Sequence, residues 1–272
     1  MLTKKTIALL LTGLASINIA YATTANRMIV APHCLIKQIE TPHKTLASQN
    51  KYSLIEINQN GIDELSVKKN LQCGGFIDVT DTWQGNNIKN SRAKDFLKDF
   101  INSSNKTISP TAYSIKYPTQ VNQMLAKLNS QRMWNRLTTF SGFPDRYSRS
   151  DNGVAAANWI KDQVQMIASG RSDVSIYFVP TGTYKQPSVV AKFGTSNEPG
   201  IVIGGHMDTT SGMKPGADDD GTGSITVLEA ADILIKSGLS FKKPIYFIWY
   251  AAEEVGLVGS QYVVKDFKAK NI

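Results

Sequence analysis

Apolar and polar positions follow two different periods along the chain. Residues 52–57 (YSLIEI) and 76–79 (FIDV) are short apolar runs of strand type, separated by stretches rich in Asn, Gln and Lys such as Asn58-Gln59-Asn60-Gly61. Residues 23–115 therefore read as a small strand-containing module that closes in a polar connector over 102–110. From about residue 118 the pattern changes. Val121, Met124, Leu125 and Leu128 fall at helical spacing, and a second helix over 154–167 places Ala155, Trp159, Ile160, Val164 and Ile167 on one side. Residues 174–179 and 188–193 read as strands, and 201–205 as a short buried strand that ends at His206. A helix over 223–237 turns Ile225, Leu228, Ala231 and Ile235 inward and stops at Gly238. The near-continuous apolar run 245–251 suits the middle of a sheet covered on both faces, and 257–267 begins another helix. The expected class for 116–272 is α/β, a mostly parallel mixed sheet with helices on both faces, preceded by the small N-terminal module.

Composition and charge narrow the picture. An apolar share of 42% supports a packed core. The formal charge is +8, yet residues 23–115 hold 11 basic and 8 acidic groups and residues 116–272 hold 17 and 14, so each part is only +3. No dense Lys/Arg block exists, which argues against nucleic acid as a partner. Lys4 and Lys5 precede an apolar stretch over 6–20 and the small-residue site Ala20-Tyr21-Ala22. This pattern predicts a secretory signal peptide over 1–22 and export, with no membrane association after cleavage. The apolar part is too short for a spanning anchor. In an exported protein the two cysteines, Cys34 and Cys73, are candidates for one disulfide.

Candidate chemistry lies in three stretches of the last third: Gly204-Gly205-His206-Met207-Asp208, Ala217-Asp218-Asp219-Asp220-Gly221 and Ala252-Glu253-Glu254-Val255-Gly256. Each sets carboxylates or an imidazole beside small residues, near an apolar run. A buried cluster of this kind needs a cation, and His with Asp and Glu suits zinc. In an extended His-x-Asp, Asp208 can face the ring of His206 as an orienting partner. One aspartate of the triplet can bridge two cations, while Asp220 or Thr222 can cap the following helix. Of two adjacent glutamates, one can bind metal while the other takes a proton from water. His33 and His43 stand alone, without carboxylates at ligand spacing.

Together with Pro215-Gly216 and the run Ala251-Ala252-Glu253-Glu254-Val255-Gly256-Leu257-Val258-Gly259-Ser260, these stretches resemble the secreted bacterial leucyl aminopeptidases. Those are co-catalytic di-zinc exopeptidases of the aminopeptidase, glutaminyl cyclase and transferrin-receptor fold family. The similarity extends from about Ser141-Gly142-Phe143-Pro144-Asp145-Arg146-Tyr147 onward. The resemblance implies His206 as a ligand of one zinc, Asp219 as the bridging carboxylate, Glu254 as a ligand of the other zinc, Glu253 as general base and Asp208 as the partner of His206. It also implies peptide substrates with a free N-terminus, a leucine-like preference and a pro-region over 23–115. The family pattern further calls for an aspartate on a later strand and a late histidine. The chain stops at Ile272 without them, so the expectation is a truncated site that is inactive alone. Two other readings stay open: a glutaminyl cyclase-like acyltransferase with a single zinc, and a non-catalytic binding module.

Overall fold

The computed structural model describes residues 26–69, 72–85, 92–104, 114–196 and 198–272. The expected signal peptide over 1–22 and residues 105–110 of the expected connector lie outside the described residues. In the first half, β1 (Arg27–Pro32), β2 (His43–Gln49), β3 (Tyr52–Ile57) and β4 (Ile77–Asp78) form an antiparallel sheet in the order β2-β3-β1-β4. Period two decides its faces. Ile29, Ala31, Ile55 and Ile57 meet Leu35 of α1 (His33–Ile36) and Ile62 and Leu65 of α2 (Gln59–Lys68). Val30 and Leu54 point the other way, toward Leu97 and Ile101 of α4 (Ala93–Ser104), which follows α3 (Thr80–Gly85). The polar stretch at Asn58 is no spacer. Its side chain accepts the N–H of Gly61 at 3.1 Å and caps α2. A disulfide joins Cys34 to Cys73, with Cα atoms 5.7 Å apart, and ties α1 to the segment before β4.

The second half opens with α5 (Pro118–Leu125), α6 (Ser130–Ser141) and α7 (Asp151–Ile167). Its sheet contains β5 (Val174–Thr181), β6 (Tyr184–Phe193), β7 (Ile201–His206) and β8 (Ile245–Tyr250) in the order β5-β6-β8-β7. Helix α8 (Thr222–Ile235) links β7 to β8, and α9 (Val258–Ala269) follows β8. The mixed α/β class agrees with the sequence, and helices cover both faces. Ile245, Phe247 and Trp249 pack with residues of α7 and α8, while Tyr246 and Ile248 pack with Val263 and Phe267 of α9.

Strand direction is a correction to the mostly parallel sheet. Among the described residues only β7 and β8 pair in parallel; β5–β6 and β6–β8 are antiparallel. The two-residue turn Gly182-Thr183 is too short for a crossover, so β6 must run back along β5, whereas α8 supplies a crossover between β7 and β8. Strand β7 is also less buried than its apolar run suggests. It lies at the sheet edge, with Ile201 and Val202 half exposed. Likewise, the apolar spacing at Val121 and Leu125 forms α5, yet no side chain of α5 is buried. No helix among the described residues is long and apolar enough to cross a membrane.

The halves share one core. Ala252, Val255 and Val258, from the segment after β8, pack in the same cluster as Ile29, Ile57 and Leu65. Polar contacts join the halves as well. The Tyr147 hydroxyl donates to Asp63 at 2.7 Å, Gln261 Nε2 donates to the Asp78 carbonyl at 3.0 Å, and the Asp78 N–H donates to the Gly256 carbonyl at 3.1 Å. Gly256 has φ +109°, and a Cβ there would lie 2.7 Å from the Asp78 nitrogen. Gly238, at φ +75°, has open space around it. Gly238→Ala is therefore expected to lose about 1 kcal/mol through its backbone alone. Gly256→Ala should lose more, about 2–3 kcal/mol, because the docking contact is strained too. Urea unfolding of both variants checks this; equal losses would mean that the approach to Asp78 contributes nothing.

Candidate functional site

Because β7 and β8 are parallel neighbours, their carboxyl ends lie side by side, and each runs into a loop carrying ionisable groups. His206 is the last residue of β7 and pairs with Tyr250 of β8. Asp208 is fully buried. Its Oδ1 accepts the N–H of Glu253 at 3.0 Å and its Oδ2 that of Glu254 at 3.2 Å. The same Oδ1 lies 3.5 Å from His206 Nδ1. One carboxylate thus faces the imidazole and fixes the backbone of the glutamate pair.

A third arm comes from the tight turn Ala217–Gly221, immediately before α8. Asp220 ties the first turn of that helix to β7: Oδ1 accepts the Gly223 N–H at 2.8 Å, and Oδ2 accepts the His206 N–H at 3.3 Å. The peptide between Asp219 and Asp220 is cis. Asp219 Oδ1 lies 2.9 Å from His206 Nε2, and Glu253 Oε2 lies 3.8 Å from the same nitrogen. Glu254 is buried beside them, whereas Glu253 is partly exposed. The fold therefore brings His206, Asp208, Asp219, Glu253 and Glu254 together.

Two cations belong to this cluster that the motifs did not single out. Arg146 lies between α6 and α7 and is fully buried. Its Nε donates to the Met207 carbonyl and its Nη2 to the Gly216 carbonyl, both at 2.8 Å, and its Nη1 donates to the Pro215 carbonyl. It braces the loops that carry His206 and Asp219. Burial draws its pKa down to about 10, against the pull of Asp208, Asp220 and Asp219. Lys69, just past α2, places Nζ 2.5 Å from Glu254 Oε2 and 3.2 Å from Glu253 Oε2. The sequence offers little sign of it beyond a Lys68-Lys69 doublet closing a polar stretch. A cavity of about 340 Å³ opens beside these three side chains and is walled also by Phe76, Ile77 and Leu257.

The electrostatics follow from burial and crowding. Burial works against the His206 imidazolium, but its donation to the Asp208 and Asp219 carboxylates and the charges of Asp208 and Glu253 outweigh it and raise its pKa to about 11. Burial likewise opposes the Lys69 charge, and Glu254 and Glu253 still hold its pKa above the ordinary lysine value. For Glu254, burial pushes the carboxyl up to about 7 against the pull of Lys69, with Asp208 and Asp219 adding to the rise. An imidazole and several carboxylates in an acidic recess are a donor set that fits zinc. Among the described residues no three such donors converge on one point as they stand. Asp219 leans on His206, and Glu254 turns to Lys69.

The profile of peptidase family M28 matches residues 188–272. The crystal structure of the Legionella pneumophila LapA aminopeptidase is 38% identical, with a TM-score of 0.82, covering 92% of this chain and 67% of that one. LapB from Legionella pneumophila is 35% identical, with a TM-score of 0.78, covering 91% of this chain and 68% of that one. A probable leucine aminopeptidase of Arthroderma otae is 34% identical over 185 residues, which is 63% of this chain and 52% of the relative. The chain spans about half the length of the curated relatives it matches.

The raised Glu254 pKa carries a sign that can be checked in chelator-treated protein. The folded state holds this proton more tightly than the unfolded state does, so the contribution of the carboxyl to stability falls as pH rises from 4.5 to about 7. The fall is on the order of 3 kcal/mol. Glu254→Gln has no such proton, so the stability of the wild type relative to the variant should decline across that window. Urea midpoints measured across it would show the decline; a flat difference would exclude burial as the cause.

Proposed function

The chain belongs to peptidase family M28, and from that membership we propose that the natural protein is a secreted, zinc-dependent aminopeptidase. Its substrates are peptides with a free N-terminus and an apolar, leucine-like first residue. One observation carries the reading: His206, Asp219, Glu253 and Glu254 gather at the ends of two parallel strands, over a buried aspartate that holds both loops. The leucine aminopeptidase names among the relatives support hydrolysis over acyl transfer. Export rests on the Lys4-Lys5 start, the apolar stretch and the Ala20-Tyr21-Ala22 site.

In this reading His206, Asp219 and Glu254 would hold the metal, with Asp219 as the carboxylate that could serve two ions. Zinc, when bound, supplies positive charge that polarises a carbonyl and makes water acidic near neutral pH. Asp208 faces Nδ1 of His206, fixes the ring and leaves Nε2 for binding. Glu253 hangs from Asp208 by its own N–H but keeps its carboxylate partly exposed. From there it takes a proton from the attacking water and returns it to the leaving amine. The inward-facing Glu254 binds, so the doublet divides into ligand and base. Arg146 keeps the His206 and Asp219 loops in register through their carbonyls.

The natural protein should release leucine from a leucyl anilide in a chelator-sensitive manner. Glu253→Gln is expected to keep its zinc and lose about 10²–10⁴-fold in kcat. His206→Ala should lose zinc as well. Metal analysis and steady-state kinetics read both outcomes. Chelator-insensitive release, or full turnover by Glu253→Gln, would sink the reading.

A further inference from the structure

Lys69 belongs to the N-terminal module, far in sequence from the motifs, yet it makes the shortest charged contact to the glutamate pair. Its position is delivered by the fold. Helix α2 buries Ile62 and Leu65 in the core shared with Val255 and Val258. Asp63 of the same helix accepts the Tyr147 hydroxyl, and Gln59 accepts from Arg149. The Lys69 N–H closes the helix on the Leu65 carbonyl at 3.0 Å. The helix is thus pinned from the side of the site, and the residue at its end points into the carboxylates.

We propose that Lys69 is a built-in cation of this site: its ammonium holds Glu253 and Glu254 together and competes with the metal ion for them, so that the docked N-terminal module restrains metal loading. The proposal rests on the zinc peptidase reading above. Three observations carry it. Nζ lies 2.5 Å from Oε2 of Glu254, a carboxylate that the reading above assigns to the metal. Asp208, Asp219, Glu253 and Glu254 concentrate negative charge that a cation must balance, and a second cation at contact distance from Lys69 would be repelled. The ammonium also has somewhere to go. Lys69 is partly exposed along the cavity shared with Phe76 and Leu257, so it can swing away when zinc arrives.

The test is zinc affinity of the full chain, measured by competition with a fluorescent chelator. Lys69→Met and Lys69→Gln are both expected to bind zinc at least about tenfold more tightly than wild type. They should also show a larger zinc-induced rise in Tm. Lys69→Arg, which keeps the charge, should stay near wild type. An unchanged or weaker Kd in either folded neutral variant overturns the proposal. A second measurement needs no variant: zinc should increase acylation of Lys69 by an amine-reactive ester in the wild-type protein, read by mass spectrometry. Labelling that zinc does not alter overturns the proposal as well. His206→Ala separates this proposal from the reading beneath it. Zinc binding that depends on His206 but not on Lys69 overturns the proposal alone; zinc binding indifferent to both residues, or absent throughout, overturns both.

Discussion

A fully buried carboxylate persists only where its lost hydration is replaced. Asp208 obtains that replacement from two successive backbone N–H groups, those of Glu253 and Glu254, with the His206 ring on the same oxygen as the first. The strand ends of β7 and β8 are thereby held at a fixed separation, and the side chains of the cluster inherit their places from this link. His206 cannot turn without losing Asp208, and the glutamate loop cannot lift without leaving a buried charge bare. Asp220 repeats the device on the third arm, joining the His206 N–H to the start of α8.

The remaining negative charge is handled by two cations of different chemistry. Arg146 is wholly buried and spends its planar fork on carbonyls, so it shapes loops more than it neutralises any one carboxylate. Lys69 is a compact charge on a flexible stem, set directly against the glutamates and open to the cavity beside them. A guanidinium suits a permanent brace, and an ammonium suits a contact that can be broken. The geometry assigns each to the matching place.

Local pattern explains what was legible in the sequence. His206, Asp208, Asp219, Glu253 and Glu254 each lie near an apolar run with small neighbours, and that signal is contained within a few residues. Strand direction was not legible, because the ends of the β5–β6 hairpin are disguised. Pro180, Lys185 and Gln186 break the apolar run, yet Gln186 is fully buried and donates to the Gly153 carbonyl at 2.9 Å. A polar residue satisfied inside the fold looks like a loop residue in the sequence. Asn58 misled in a related way, since helix caps and turns draw on the same residue types. Lys69 was out of reach altogether: its partners lie 184 and 185 positions away, at a distance no periodicity encodes. The exposed α5 shows the converse, that helical spacing can build a helix without burying it.

The shared core of the two halves separates two events that are easily equated. Breaking a peptide bond between residues 104 and 114 would leave Ile29, Ile57 and Leu65 still packed on Ala252, Val255 and Val258, with the Tyr147–Asp63 hydrogen bond still in place. A nicked protein would remain one particle held by noncovalent contact. Scission would sever one covalent link, whereas dissociation would require wetting the apolar patch of Ala252, Val255 and Val258 next to Glu253. Cleavage of the polypeptide and separation of its two halves are therefore governed by different steps.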